Sequence, residues 1–290
     1  MEYSVVKTKH NAAPYAVTLD ANNNLWFTEN KANKIVQMKT DGCMTQYPIP
    51  TPDCGVSLIA ASPKGVYFTE YKANKIGFLD LKGNISEHIL ADGSSPYGIA
   101  IDDEHNVWCS CMTSNQIGCL SGNDIRYYDI PTPTSYPSFI TFGGDGALWF
   151  CENQGNKIGR ITKNGEITEF ELPTKGSAPV GIASGEDAVW FTEIMGNRIG
   201  KIDFNGNITE YDIPTVNAKP HAIAVKEDCV AFTQWGVNKI GVIMPNGTLK
   251  EYDIPTPHNE PHGIAVDKDA TIWFALESGA IGKFNPRLTL

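Results

Sequence analysis

Glu260 and His262 stand two residues apart in Glu260-Pro261-His262-Gly263-Ile264, and in extended chain that spacing projects both side chains to one side. A carboxylate beside an imidazole can help hold a divalent ion or move a proton. Histidine is the side chain best matched to proton transfer near neutral pH. A second histidine, His221, sits in a matching Pro220-His221-Ala222-Ile223 context, and a second acid, Glu277, ends Trp273-Phe274-Ala275-Leu276-Glu277. Two carboxylates with few other ligands suit a hard cation such as Mg²⁺, which keeps several waters or substrate oxygens. A histidine beside such an ion is placed to act as a base on a metal-polarised carbonyl compound.

These residues belong to a repeat, and the repeat must position them. Asn-Lys-Ile-Gly recurs as Asn33-Lys34-Ile35, Asn74-Lys75-Ile76-Gly77, Asn115-Gln116-Ile117-Gly118, Asn156-Lys157-Ile158-Gly159, Asn197-Arg198-Ile199-Gly200 and Asn238-Lys239-Ile240-Gly241, always 41 residues apart. Gly279-Ala280-Ile281-Gly282 is a worn seventh copy. An aromatic run such as Leu25-Trp26-Phe27-Thr28-Glu29 lies ahead of each, and a run of the type Ile208-Thr209-Glu210-Tyr211-Asp212-Ile213-Pro214 lies behind most. Next come a polar loop and a run opening at Pro14, Pro96, Pro137, Pro179, Pro220 or Pro261, with Gly55 in place of the proline in the second copy. Four short β-rich runs per unit, divided by turn residues and free of helical periodicity, predict an all-β fold. At this period the fold is a seven-bladed β-propeller with four antiparallel strands per blade, a single domain over residues 1–290. The last unit lacks its fourth run. Glu2-Tyr3-Ser4-Val5-Val6 aligns with Glu251-Tyr252-Asp253-Ile254-Pro255, so the N-terminal strand is expected to complete the last blade and close the ring, removing an unpaired edge.

In a four-stranded meander the first strand is innermost and directions alternate, so the start of strand one and the end of strand two share a face. Around that face the residue after the proline reads Tyr15, Val56, Tyr97, Ser138, Val180, His221 and His262. The residue before it reads Ala13, Cys54, Ser95, Tyr136, Ala178, Lys219 and Glu260, of which only the last is acidic. The strand-two ends read Glu29, Glu70, Cys111, Glu152, Glu193 and Gln234, a repeated turn or rim residue opening onto the same face. In the last unit the acid moves one residue later, to Glu277, from where it could approach Glu260. The spacing leaves a second reading open, an inert channel lined by polar side chains that bind water, because many propellers are binding platforms.

Composition narrows the classes. With 33 acidic against 23 basic side chains the net charge is −10, which argues against a nucleic-acid partner. No apolar run approaches the ~20 residues of a membrane span, and the N-terminus carries no signal-peptide pattern. The seven cysteines fit no zinc spacing, Cys109-x-Cys111 being too short, and are expected to be reduced, mostly buried thiols of a cytoplasmic protein. A closed ring needs no partner to fold, so a monomer is expected.

Lys219-Pro220-His221-Ala222-Ile223, Glu260-Pro261-His262-Gly263-Ile264 and Ile272-Trp273-Phe274-Ala275-Leu276-Glu277 resemble the virginiamycin B lyase family, and the likeness covers essentially the whole chain. The bare repeat is shared by other propellers; the two Pro-His steps with a Glu before and a Glu after are more specific. The resemblance implies a Mg²⁺-dependent elimination that linearises a cyclic hexadepsipeptide antibiotic of the streptogramin B type. It implies His262 as general base, Glu260 and Glu277 as metal ligands, His221 as a substrate contact and Tyr15 as a further candidate contact. Gln234 and Cys111 depart from the blade pattern, and Gln234, expected on the face near His221, puts substrate preference in question. A metal-dependent lactonase and a non-catalytic scaffold remain as alternatives.

Overall fold

Each repeat folds into one four-stranded antiparallel sheet in the computed structural model, which describes residues 3–8, 12–227, 229–244, 246–255 and 259–286. There are seven such sheets, and the first strands of neighbouring blades pack on one another round the whole ring, blade seven against blade one included. No α-helix occurs among the described residues. Six blades are built from consecutive strands, while the seventh takes Ser4–Lys7 as its outer strand beside Ala280–Phe284. The N-terminal strand thus closes the ring as expected.

The repeat motif has a packing cause. The strand-two phenylalanines Phe68, Phe150, Phe191, Phe232 and Phe274 are fully buried, and each packs against the glycine opposite it on strand three. A Cβ on Gly77, Gly159, Gly200, Gly241 or Gly282 would come within 2.0 to 2.4 Å of that ring. Each buried ring contributes about 1.5–3 kcal/mol, so the Phe/Gly pair repeats with the blade. Blade three carries the smaller Cys109 opposite Gly118. The asparagine before each Lys-Ile adopts a left-handed turn conformation, with φ of 52° to 59° from Asn33 to Asn238, which asparagine tolerates better than most side chains. Its side chain then ties down the loop to the next blade, as Asn115 does through Ile130, Thr132 and Ser135.

Two register expectations need correction. In blade one Pro14 pairs with Glu29, but in blade two it is Val56 that pairs with Glu70, because that hairpin is one residue shorter. Gly55 takes the left-handed position held by Ala13 and Glu260 elsewhere, with φ of 67°. The inner ring therefore reads Ser57, not Val56, in blade two. At the N-terminus, Val5 stands opposite Gly282 where blade six sets Glu251 opposite Gly241, three residues from the expected alignment. Val6 packs into the apolar cluster of Leu25, Phe27 and Ile281, whereas Tyr3 lies beside Phe274 at 6.2 Å between ring centres. Glu2, used in that alignment, lies outside the described residues.

Candidate active site

A backbone hydrogen bond common to all blades brings the acids of blade seven together. The residue after strand two donates its N–H to the carbonyl of the left-handed residue that precedes strand one. The pairs are Asn30 to Ala13, Tyr71 to Gly55, Met112 to Ser95, Asn153 to Tyr136, Ile194 to Ala178 and Trp235 to Lys219. In blade seven the pair is Glu277 to Glu260, at 3.4 Å. The sheet thus places two side chains side by side in every blade, and only here are both acidic. Glu260 has φ of 44°, a conformation that costs a non-glycine residue roughly 1–3 kcal/mol unless the surroundings impose it; the repeated hydrogen bond is what imposes it.

His262 follows on strand one of blade seven (Pro261–Val266) at the point where the pairing with strand two slips register. Its carbonyl accepts a hydrogen bond from Thr233 of blade six at 2.9 Å, and the His221 carbonyl accepts one from Thr192 of blade five at 2.9 Å. Gly263 lets the strand approach blade one, since a Cβ there would lie 2.7 Å from the Tyr15 carbonyl oxygen. The His262 side chain is 10% exposed, and its Nε2 lies 3.1 Å from Glu277 Oε2.

Burial holds the His262 pKa below the ordinary histidine value, although the hydrogen bond and charge of Glu277 pull the other way. Burial likewise opposes ionisation of Glu277, but the contacts with His262 and with Lys31 outweigh it and keep that carboxyl below the usual range. The two directions agree on a neutral imidazole beside an ionised carboxylate. Nδ1 of His262 is buried and makes no hydrogen bond. His221 is pushed down to about 3, first by burial and then by His262, so it too is neutral.

Aromatic rings fix both imidazoles. Tyr15 lies 4.7 Å from the His262 ring, and His221 meets His262 edge-on at 5.2 Å and Phe139 edge-on at 5.7 Å. The hydroxyls of Tyr15 and Tyr97 hydrogen-bond to each other. Tyr15, Tyr97, His262, Glu277 and Lys31 line one pocket. All five residues singled out from the sequence therefore meet at one end of the axis. Lys31 and Tyr97 were missed. Tyr97 carried a signal, because it shares the after-proline position with Tyr15; Lys31 carried none, being 246 residues from Glu277, to which its ammonium is paired at 3.1 Å.

The strand-two glutamates are not rim residues. Glu29, Glu70, Glu152 and Glu193 are fully buried, as is Gln234. Burial pushes Glu70 and Glu193 up to about 7 and Glu152 up to about 8. Gln234 is the neutral amide at the same place and is fully buried, so it has no direct means of altering substrate fit; its neighbour Trp235 lies 6.4 Å from the His262 ring.

Glu260, His262 and Glu277 each offer one ligand atom, all within 4.8 Å of one another, and no other such group occurs among the described residues. The two carboxylates fit a hard divalent ion that completes its shell with water or substrate oxygen, with the imidazole beside it.

Comparisons with known proteins point to one family. A model of the virginiamycin B lyase family matches residues 1–284. A virginiamycin B lyase from Nocardia farcinica is 33% identical over 173 residues, a span of 59% of this chain and 59% of that protein. A solved streptogramin B lyase structure superposes with a TM-score of 0.95 at 46% identity, over 97% of this chain and 96% of the other. A catalytically inactive histidine-to-alanine variant of the Staphylococcus aureus virginiamycin B lyase, solved with quinupristin, superposes with a TM-score of 0.94 at 45% identity, over 97% and 98% of the two chains.

Proposed function

Since the chain belongs to the virginiamycin B lyase family, we propose that it is a carbon–oxygen lyase that linearises a type B streptogramin by β-elimination at the threonyl ester, and so gives resistance to the antibiotic. One observation carries the reading. Glu260, His262 and Glu277 converge at one point of a sevenfold ring, and the matching positions of the other blades hold no such set. The inactive histidine variant of a relative, solved with quinupristin, supports both a histidine at the centre and this substrate class.

His262 takes the α-proton of the threonyl residue in this mechanism. The electron pair left on Cα forms the Cα–Cβ double bond as the Cβ–O bond breaks, and the ester oxygen leaves as part of a carboxylate. Because Nδ1 is buried, Nε2 is the nitrogen that faces the site, and it accepts the proton in the tautomer that carries the ring hydrogen on Nδ1. Burial among Tyr15, His221 and Trp235 keeps the ring neutral and ready to accept. His221 and Tyr15 line the same space as substrate contacts, both uncharged, suited to amide and aromatic groups and not to ions. General-base action alone supplies on the order of 10²–10⁴ in rate, too little for so weak a carbon acid. A divalent ion such as Mg²⁺, held by Glu260 and Glu277, would polarise a substrate carbonyl and stabilise enolate-like charge, worth several kcal/mol.

The test is incubation with a type B streptogramin, with and without EDTA, read by product mass. Elimination gives a linear product of the same mass as the ring, and Mg²⁺ added back restores turnover after chelation. A product heavier by one water would make the enzyme a hydrolase, and an unchanged substrate would end the proposal.

A further inference from the structure

Both oxygens of Glu277 are engaged within this chain. Oε2 lies 3.1 Å from His262 Nε2, and Oε1 lies 3.1 Å from Lys31 Nζ. Lys31 belongs to blade one, on the turn between its strands Leu25–Glu29 and Lys34–Met38, and only ring closure brings it beside blade seven. Blade two repeats the lysine as Lys72, which lies instead along Gly55. Blades three to six carry Thr113, Gln154, Met195 and Gly236 at this position, none of them charged. The lysine side chain is 61% exposed and that of Glu277 34%.

We infer that Lys31 is a tethered counter-ion of the Glu260–Glu277 pair, which neutralises part of its charge and competes with the divalent ion for Glu277. The inference rests on the cation reading given above. Two carboxylates whose oxygens approach within 4.8 Å repel each other. A compact ammonium with three donors offsets that repulsion, and its flexible four-carbon stem lets it leave at little cost. A divalent ion carries twice the charge and takes carboxylate oxygen at ~2.0–2.6 Å, so it cannot share Oε1 comfortably with an ammonium. An exposed ion pair is weak, so the competition tunes affinity and does not block the site. Lys31 is thus a positioning residue, acting through Glu277.

Calorimetric titration of Mn²⁺ into the wild-type protein, Lys31→Ala and Lys31→Arg tests this without measuring turnover. Lys31→Ala is expected to bind about three- to tenfold more tightly, whereas Lys31→Arg, which keeps the charge, stays within about twofold of wild type. A second readout follows from the same idea: the ion should raise the Tm of Lys31→Ala by more than that of wild type, because the acids lack their cationic partner until it binds. Equal or weaker binding by Lys31→Ala overturns the inference and leaves the cation site intact. Absence of binding by both wild type and Lys31→Ala at millimolar Mn²⁺ instead removes the cation reading, and with it the counter-ion role.

Discussion

The base role proposed for His262 needs a free electron pair at working pH, and burial favours the neutral ring that holds one. Desolvation lowers the pKa of His262 while Glu277 raises it, and desolvation is the larger effect. His262→Ala should therefore cut kcat by about 10²–10⁴ or more while leaving the far-ultraviolet circular dichroism unchanged. The fold survives because the bond from Thr233 goes to the backbone carbonyl, which alanine keeps. Near-normal turnover by that variant would remove His262 from the proton-transfer role. Glu260, His262 and Glu277 are legible in the sequence because the last blade breaks the repeat there, and His221 and Tyr15 through the resemblance to the family. Lys31 was missed, since its lysine recurs in blade two and so looks ordinary.

Within the blade, the second strand ends on a carboxylic acid that the sequence suggested was at the rim and that the structure buries completely. Glu152 illustrates the cost. Burial and the neighbouring Glu169 raise its pKa from 4.5 to about 8, against the opposing pull of Lys157 and Ser135. The folded chain keeps a proton that the unfolded chain has already released, so this group's contribution is fully present below about pH 4.5 and is lost as the pH rises to about 8. Blade six solves the same packing with the neutral Gln234. Glu152→Gln should therefore lie close to wild type near pH 5 and exceed it by roughly 3 kcal/mol at pH 8, seen as a Tm difference that widens with pH. A Tm difference that stays constant from pH 5 to 8 would mean that Glu152 is ionised in the folded protein. A period of 41 residues could not reveal this burial, since turn and core acids repeat equally well.

At the scale of the molecule, one short strand joins the two ends of the ring. Ser4–Lys7 pairs with Ala280–Phe284 and sets Val6 among Leu25, Phe27 and Ile281, so it contributes to the blade one–blade seven seam where the site lies. Deleting residues 1–9 should lower the Tm by roughly 5–10 °C and expose a sheet edge; an unchanged Tm would show that the ring closes without it. The sequence alone determined the architecture, because packing rules repeated in most blades (an aromatic over a glycine in five, an asparagine in a left-handed turn in six) leave a local, periodic trace. It also determined the odd residues of the last blade, because they break that period. Only the tertiary structure decided which of them touch. The hairpin length that makes Ser57 the ring residue, the hydrogen bond that joins Glu277 to Glu260, and the approach of Lys31 across the closure all depend on register and on contacts between distant blades, and a one-dimensional period carries no record of either.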